Sequence, residues 1–472
     1  MIVCPSIAPR SMAEARKQLR EYASTCRLLE IRLDTIPDLD VRKLLASRRP
    51  PLIATFRHQR EGGSFHGPVD RQSALLSVAQ SCGSEYIDVE YRMGGAVIDK
   101  FIKSGARIIL SYHNFRETPS DLEKIYHDLK RFKPAVIKIA VTALDIADNI
   151  KIFRLLGRAR ADGQKMIALC MGERGEISRI LTGKFGGFLS FAAESAERNT
   201  GPGQVPLGIM TDVYHAHKIN PRTKIFGLLG NPVRQSKGMY YHNDIFYRKR
   251  KNAVYCNFPV EDLTSFFRSF ETLLTGGSVT MPLKGSIIPW LDRIDRVASE
   301  LSSVNTIVRR RGTWYGCNTD YPALLRILSK RIRLKGKRAL IIGTGAMART
   351  MAHAISSERG QPLIMGRSLP KTRSLARSLN CQYVPPGEYT GLDVDVVMNA
   401  TPVGMLGYTQ DPIVPPHFFR RSMIVLDVVN RQDLTPFLSV AKKRGCTIIS
   451  GYELFQEQAK LQSDIFLSAL SS

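Results

Sequence analysis

Ala135-Val136-Ile137-Lys138-Ile139-Ala140-Val141 is an apolar, largely β-branched run with one lysine at its centre. Such a run predicts a buried strand. Alternation puts Lys138 on one face with Val136 and Ala140, and Ile137 and Ile139 on the other. Burying an ammonium against a helix layer is costly. Two placements remain: an edge position with the side chain snorkelling to water, or a strand whose lysine face lines a barrel mouth. In a mouth, desolvation favours the free amine, a nucleophile for a ketone.

Seven comparable runs surround it: Ile2–Ser6, Leu28–Leu33, Leu52–Phe56, Tyr86–Tyr91, Arg107–His113, Lys165–Met171 and Gly187–Ala192. Spaced roughly 20–30 residues apart, they leave room in each gap for one crossover helix. The pattern predicts an α/β protein whose residues 1–213 form a (β/α)8 TIM barrel. Barrel chemistry sits at strand C-terminal ends, which here carry Glu30, Arg32, Arg57, His113, Lys138 and Met171. Residues 214–224 are polar, include Pro221, and predict a linker.

A second α/β series opens at Ile225-Phe226-Gly227-Leu228-Leu229-Gly230. Within it, the strand-like Lys337–Ile342 leads into Gly343-Thr344-Gly345-Ala346-Met347-Ala348, a dinucleotide-binding fingerprint of the Rossmann type. The next strand, Pro362–Met365, ends in Gly366-Arg367-Ser368, where NAD-binding folds usually carry an acid. Arg367, followed by Lys371 and Arg373, suits a 2′-phosphate and favours NADP; the plainer alternative is a solvated basic helix start.

The chain's 472 residues exceed the size of one growing core, so two or more domains are expected. Lys and Arg total 68 against 42 Asp and Glu, a formal net charge of +26. That excess admits a compositional habit, steering of anionic substrates, or nucleic-acid binding. The basic residues are scattered and no nucleic-acid motif surrounds them, which disfavours the last. Eight cysteines without a CxxC pair predict neither metal site nor disulfide framework. No apolar run approaches membrane-spanning length, and Pro5 interrupts the first one, so a cytoplasmic enzyme without a leader is expected.

The first half resembles the type I 3-dehydroquinate dehydratases. The resemblance rests on Glu30-Ile31-Arg32, Thr55-Phe56-Arg57 with Glu61-Gly62-Gly63, Ser111-Tyr112-His113, Lys138-Ile139-Ala140, Met171-Gly172, Ile177-Ser178-Arg179 and Gly201-Pro202-Gly203-Gln204. It implies Lys138 as the imine-forming amine, His113 as the proton shuttle and Glu61 as its orienting partner. Arg179 is implied to bind the substrate carboxylate, with Glu30, Arg32, Arg57, Thr200 and Gln204 around the ring. Thr200 stands where the family has Ser, and the chain begins at the first strand with no preceding hairpin.

The second half is similar to shikimate dehydrogenases, giving a two-lobed unit with a Rossmann NADP-binding domain. The matching stretches are Gly230-Asn231-Pro232-Val233 with Ser236, Val279-Thr280-Met281-Pro282-Leu283-Lys284, Val304-Asn305-Thr306, Gly316-Cys317-Asn318-Thr319-Asp320, Asn399-Ala400-Thr401-Pro402 and Gln456 to Ala459. The resemblance implies Lys284 and Asp320 as catalytic pair, with Ser236, Thr280, Asn305 and Gln458 holding substrate. Gly343, Gly345, Ala346, Ala348, Arg367, Ser368, Lys371 and Thr401 are implied to hold NADP. Residues 223–320 and 440–472 are expected to form the substrate lobe and 321–439 the cofactor lobe. Gly238, Ser278 and Asn430 depart from the family's Ser, Asn and Tyr, and Gly238 is expected to leave space beside the ring.

The implied partners are small anionic cyclohexane carboxylates: 3-dehydroquinate, 3-dehydroshikimate and shikimate. Two other functions stay open: a quinate dehydrogenase in the second half, and a regulator that kept the fold but lost turnover. The retained Lys138, His113, Lys284 and Asp320 argue against the regulator.

Overall fold

The computed structural model describes residues 1–470 other than 47, 390 and 432; the last two residues of the expected 440–472 segment lie outside the described ones. The chain forms two compact units, Met1–Leu274 and Thr275–Ser472.

The first unit opens with eight parallel strands: β1 (Ile2–Ile7), β2 (Leu29–Arg32), β3 (Leu52–Thr55), β4 (Tyr86–Glu90), β5 (Ile108–His113), β6 (Val136–Thr142), β7 (Met166–Met171) and β8 (Leu189–Ala193). They alternate with α1 (Met12–Tyr22), α2 (Val41–Leu45), α3 (Val69–Ser81), α4 (Gly95–Lys103), α5 (Leu122–Lys130), α6 (Asp148–Ala161) and α7 (Glu176–Ile180). Side-chain caps start several helices; Ser11, for example, accepts from the Glu14 amide at 3.1 Å. The strand order is β7-β6-β5-β4-β3-β2-β1-β8, and the Phe188 amide donates to the Met166 carbonyl at 2.8 Å where β8 meets β7.

Strand parity sorts the side chains. One face, with Ile31, Ala54, Ile87, Val89, Leu110, Ile137 and Ile139, packs against the helices in the main apolar cluster. The other face fills the barrel in tiers. Its lower tier is apolar, with Cys4, Leu28, Ile53, Tyr86, Ile109, Val136, Ile167 and Leu189 in one cluster. Two residues further along the strands come Ser6, Glu30, Thr55, Asp88, Ser111 and Lys138, all buried and all polar.

The unit continues through β9 (Lys224–Gly230), α8 (Gly238–Arg248), β10 (Ala253–Pro259) and α9 (Leu263–Phe270), with β9 and β10 pairing in parallel. Compactness therefore breaks at Leu274, beyond the expected linker at 214–224. The reason is that this segment packs against the turns that follow β6 and β7. Arg174 pairs with Glu261 at 2.5 Å, and the Ser265 hydroxyl donates to Asp145 at 3.0 Å.

In the second unit, β11 (Leu274–Val279) leads into α10 (Leu283–Ser286), β12 (Arg293–Ile294), α11 (Arg296–Leu301), β13 (Thr306–Arg310) and β14 (Thr313–Cys317). β13 pairs antiparallel with both β11 and β14. α12 (Asp320–Ser329) then leads to a parallel sheet made of β15 (Arg338–Ile342), β16 (Gln361–Met365), β17 (Gln382–Val384), β18 (Val396–Asn399), β19 (Ile424–Asp427) and β20 (Thr447–Ile449). Its order, β17-β16-β15-β18-β19-β20, is doubly wound, with α13 (Ala346–Ser357), α14 (Leu369–Ser378) and α15 (Pro436–Lys443) among the crossovers. The expected return at 440 falls inside α15, and β20 still belongs to this sheet. The chain leaves the sheet only with α16 (Gly451–Ala469), where Gln462 accepts from the Ser278 hydroxyl and donates to the Asn305 carbonyl.

Candidate active sites

In the barrel mouth, alternation delivers charged side chains from adjacent strands into one place. Ser111 on β5 lies in register with Lys138 on β6, and His113 with Ala140. Lys138 Nζ donates to Asp88 at 3.0 Å, lies 3.7 Å from Glu30, and sits 4.6 Å above the Phe191 ring. Asp88 also accepts from Arg57 at 2.6 Å and from Ser111 at 2.6 Å. Burial pushes Asp88 up, but Arg57 first and Lys138 second overcome it and hold the carboxyl well below the usual carboxylate range.

His113 Nδ1 lies 2.7 Å from Glu61, and Phe115 stacks beside the imidazole. Burial, then Arg57 and Lys138, lower His113 well below its ordinary value. Burial likewise raises Glu61 to about 7. Both shifts have one sense: they favour a neutral imidazole over an imidazolium–carboxylate pair. Gly63 shapes the turn carrying Glu61; a Cβ there would lie 2.0 Å from the Arg57 carbonyl oxygen.

Across the mouth, Glu30 is hydrogen-bonded by Ser6 and by Thr55, the latter at 2.9 Å. Ser6 continues to Thr200 at 2.7 Å, and Gln204 donates to Thr200 at 2.9 Å. Met171 packs with Ala140 and Leu169. Arg179 is buried, donates to the Pro202 carbonyl at 2.9 Å, and leaves its Nε without a partner among the described residues. Burial without an acidic partner of its own pushes it down to about 10, the condition expected of a guanidinium that awaits an anion.

Two of the expected ring-binding arginines are already engaged. Arg32 makes a two-pronged pair with Asp34 at 2.9 and 2.7 Å. Arg57 is held by Asp88, Ser111 and Glu90. Sequence reasoning passed over Asp88 and Glu90, although Tyr86-Ile87-Asp88-Val89-Glu90 has the same charge-in-an-apolar-strand pattern that singled out Lys138.

In the second unit, Lys284 Nζ pairs with Asp320 at 2.6 Å, joining α10 to the first residue of α12. Asn305 accepts from the Thr319 amide at 2.8 Å and donates to Gln458 at 3.3 Å, so α16 is tied to the same place. Thr280 is half-buried at the turn before Lys284. Ser278 points to Gln462 and serves that junction, while Asn430 is exposed.

Ser236, in the first unit, accepts from the Gly238 amide at 3.1 Å, which leaves its own hydroxyl hydrogen to donate. The space expected at Gly238 is not there. A Cβ would meet Ser236 Oγ and the Tyr255 ring at 3.3 Å, tighter than ordinary contact.

β15 ends at Gly343, whose φ of 135° is a conformation side-chain-bearing residues avoid, and α13 starts at Ala346. Gly345 has open space where a Cβ would stand, and Ala348 is buried against the sheet. Arg367 and Lys371 are exposed, without an ion pair among the described residues, around Ser368 at the start of α14. The Thr401 hydroxyl donates to Asn399 at 2.7 Å at the end of β18. A helix N-terminus, a glycine turn and unpaired cations fit a phosphorylated dinucleotide. Among the described residues, no group of three His, Cys, Asp or Glu is arranged as a metal centre, and no helix is long and apolar enough to cross a membrane.

Such a chain has the make-up of a two-site enzyme: a lysine-bearing barrel followed by a dinucleotide-type dehydrogenase. Comparison with known proteins agrees. Residues 3–221 match the family model of type I 3-dehydroquinase. Residues 228–307 match the shikimate dehydrogenase substrate binding domain, and 326–436 match shikimate / quinate 5-dehydrogenase. The chloroplastic bifunctional 3-dehydroquinate dehydratase/shikimate dehydrogenase of Arabidopsis thaliana is 30% identical over 472 residues, covering 93% of this chain and 77% of that protein. A shikimate dehydrogenase (NADP(+)) of Syntrophobacter fumaroxidans is 32% identical over 255 residues, 52% of this chain and 88% of its own length. The crystal structure of shikimate dehydrogenase from Aquifex aeolicus superposes with a TM-score of 0.50 at 29% identity, covering 53% of this chain and 94% of that one. The chain belongs to the bifunctional 3-dehydroquinate dehydratase/shikimate dehydrogenase family.

Asp88→Asn leaves two buried cations short of a carboxylate. It is expected to cost about 3–5 kcal/mol in urea unfolding and to abolish most dehydratase activity. Because the folded carboxyl titrates below the unfolded value near ~3.9, the stabilisation is present above about pH 4 and fades only as pH falls further. A loss under about 1 kcal/mol at pH 7 contradicts this account of the network.

Proposed function

We propose that the barrel dehydrates 3-dehydroquinate through an imine on Lys138, and that the second half reduces 3-dehydroshikimate to shikimate with NADPH. The observation that carries the first step is the placement of Lys138 and His113 on neighbouring strands of one mouth, with Glu61 at 2.7 Å behind the imidazole.

The Lys138 amine adds to the ketone carbon, and water leaves to form the imine. With Nδ1–H donated to Glu61, His113 presents Nε2 as base and removes the proton beside the imine carbon. The electron pair moves into the imine to give an enamine. The enamine then expels the ring hydroxyl, which takes the proton from His113 and departs as water. Hydrolysis of the new imine frees 3-dehydroshikimate and regenerates the amine. Arg179 holds the carboxylate with its unpaired Nε, while Glu30, Arg32, Thr200 and Gln204 line the ring; Arg57 acts mainly by fixing Asp88.

For the second reaction, NADPH supplies the hydride when bound. Lys284 gives a proton to the oxygen of the reduced carbonyl, and Asp320 holds Lys284 in place at 2.6 Å. Ser236 holds the carboxylate, and Thr280, Asn305 and Gln458 hold ring hydroxyls. Gly343, Gly345, Ala346 and Ala348 form the pyrophosphate turn, with Thr401 beside it. Arg367, Ser368 and Lys371 hold the 2′-phosphate, a choice supported by the NADP-dependent name of the Syntrophobacter relative. Functionally, 1–213 serve dehydration, 223–320 and α16 the dehydrogenase substrate, and most of 321–449 the cofactor.

Borohydride added with 3-dehydroquinate is expected to trap substrate covalently on Lys138, read by peptide mass spectrometry. An adduct elsewhere, or an active Lys138→Ala enzyme, overturns the mechanism. Arg367→Ala is expected to raise the NADPH KM by about 10–100-fold with little effect on NADH, the loss of one charge-assisted contact. Equal use of NADH and NADPH by the unaltered enzyme refutes that assignment. Gly238→Ser crowds Ser236 and Tyr255, so the shikimate KM is expected to rise by about three- to tenfold, in line with a mild overpacking cost. A lowered KM restores the idea of open space at that position.

A further inference from the structure

The loop carrying Ser236 is gripped from the barrel at both ends. At its start, Asn231 donates to Glu261 at 3.1 Å, and Glu261 is paired with Arg174 at 2.5 Å. Arg174 lies in the turn after β7 and also donates to the Leu144 carbonyl, in the turn after β6, at 2.6 Å. At the loop's far end, the Tyr214 hydroxyl donates to Met239 Sδ at 3.0 Å. Tyr214 is 3% exposed and follows the barrel's last strand. Met239 directly follows Gly238, whose amide fixes Ser236 Oγ.

The tyrosine is itself anchored. Its side chain interacts with Glu176, which lies on α7 three residues before Arg179. Burial, reinforced by Glu173, raises the Glu176 carboxyl. Tyr214 thus stands between Glu176 and Met239 Sδ, to which its hydroxyl donates. The resulting chain runs from the helix of the dehydratase's Arg179 to the first turn of α8. A surface ion pair such as Arg174–Glu261 adds little by itself. The buried tyrosine is the firmer of the two grips.

We propose that Tyr214, supplied by the barrel, is a positioning residue for the dehydrogenase: it holds Met239 and thereby sets Ser236 for the substrate carboxylate. The barrel is then a working part of the second active site and not only its covalent neighbour. This rests on Ser236 as the carboxylate ligand, and the test separates the two claims.

In the full-length chain, Tyr214→Phe keeps the ring and removes the hydroxyl. Met239→Leu removes the acceptor from the other side and replaces Tyr214→Phe if that variant does not fold. Either is expected to raise the shikimate KM by about three- to tenfold, the range of one neutral hydrogen bond, with kcat within about twofold. The KM for shikimate methyl ester, which lacks the carboxylate charge, should move by less than about twofold in the same variants. Ser236→Ala serves as the reference and should raise the shikimate KM as well. A raised KM in Ser236→Ala with no change in Tyr214→Phe or Met239→Leu overturns the positioning role, as does an equal shift for acid and ester. An unchanged KM in Ser236→Ala overturns the carboxylate assignment on which the proposal stands.

Discussion

The carboxylate of Asp88 sits between the guanidinium of Arg57 and the ammonium of Lys138, at 2.6 and 3.0 Å, with no exposed surface of its own. Two buried cations side by side repel each other strongly in a poorly screened interior. Asp88 makes their coexistence possible, and the barrel mouth is arranged around it. Ser111 fills its second oxygen, Glu90 takes the other side of Arg57, and Glu30 stands at the rear of the lysine. The lysine is thus kept in one place by acidic groups on two sides. Burial first, and then the same two cations, disfavour an imidazolium at His113. One carboxylate therefore links the barrel's packing to the placement of Lys138 and Arg57.

The second half uses a lysine–carboxylate pair differently. Lys284 and Asp320 meet directly at 2.6 Å, and the lysine is partly open to solvent. No second buried cation stands beside it among the described ion pairs, so Asp320 serves one partner where Asp88 serves two. The contrast follows the chemistry proposed for each: a lysine that must become a covalent ligand, and one that only passes a proton.

All eight barrel strands were legible because β-branched runs at regular spacing leave few other folds; parity set Lys138 apart from Ile137 and Ile139, and the family resemblance chose the barrel mouth over an edge. The same parity argument applied to Asp88 and Glu90 would have found the network, but an acid in a strand attracts less notice than a nucleophile. What the sequence could not carry was partnership across distance. That Asp34 holds Arg32 and Asp88 holds Arg57 is visible only in the folded barrel. Gly238 looked like a gap because its neighbour Tyr255 comes from another strand. The compact units divide at Leu274, past the linker expected at 214–224, and the parallel sheet runs past 440, for a similar reason. A polar linker marks where covalent continuity is loose, whereas compactness follows the packing of β10 and α9 on the barrel and the pairing of β20 with β19.

The late return of α16 has a consequence for how the molecule comes into being. Gln458 and Gln462, which tie down Asn305 and Ser278, leave the ribosome long after the barrel strands. Every barrel strand has emerged by Ala193, more than half a chain earlier. At roughly 5–20 residues per second, the barrel has on the order of ten seconds or more to fold before the second site can close. A nascent chain can complete its barrel first, and its second site only once α16 has emerged.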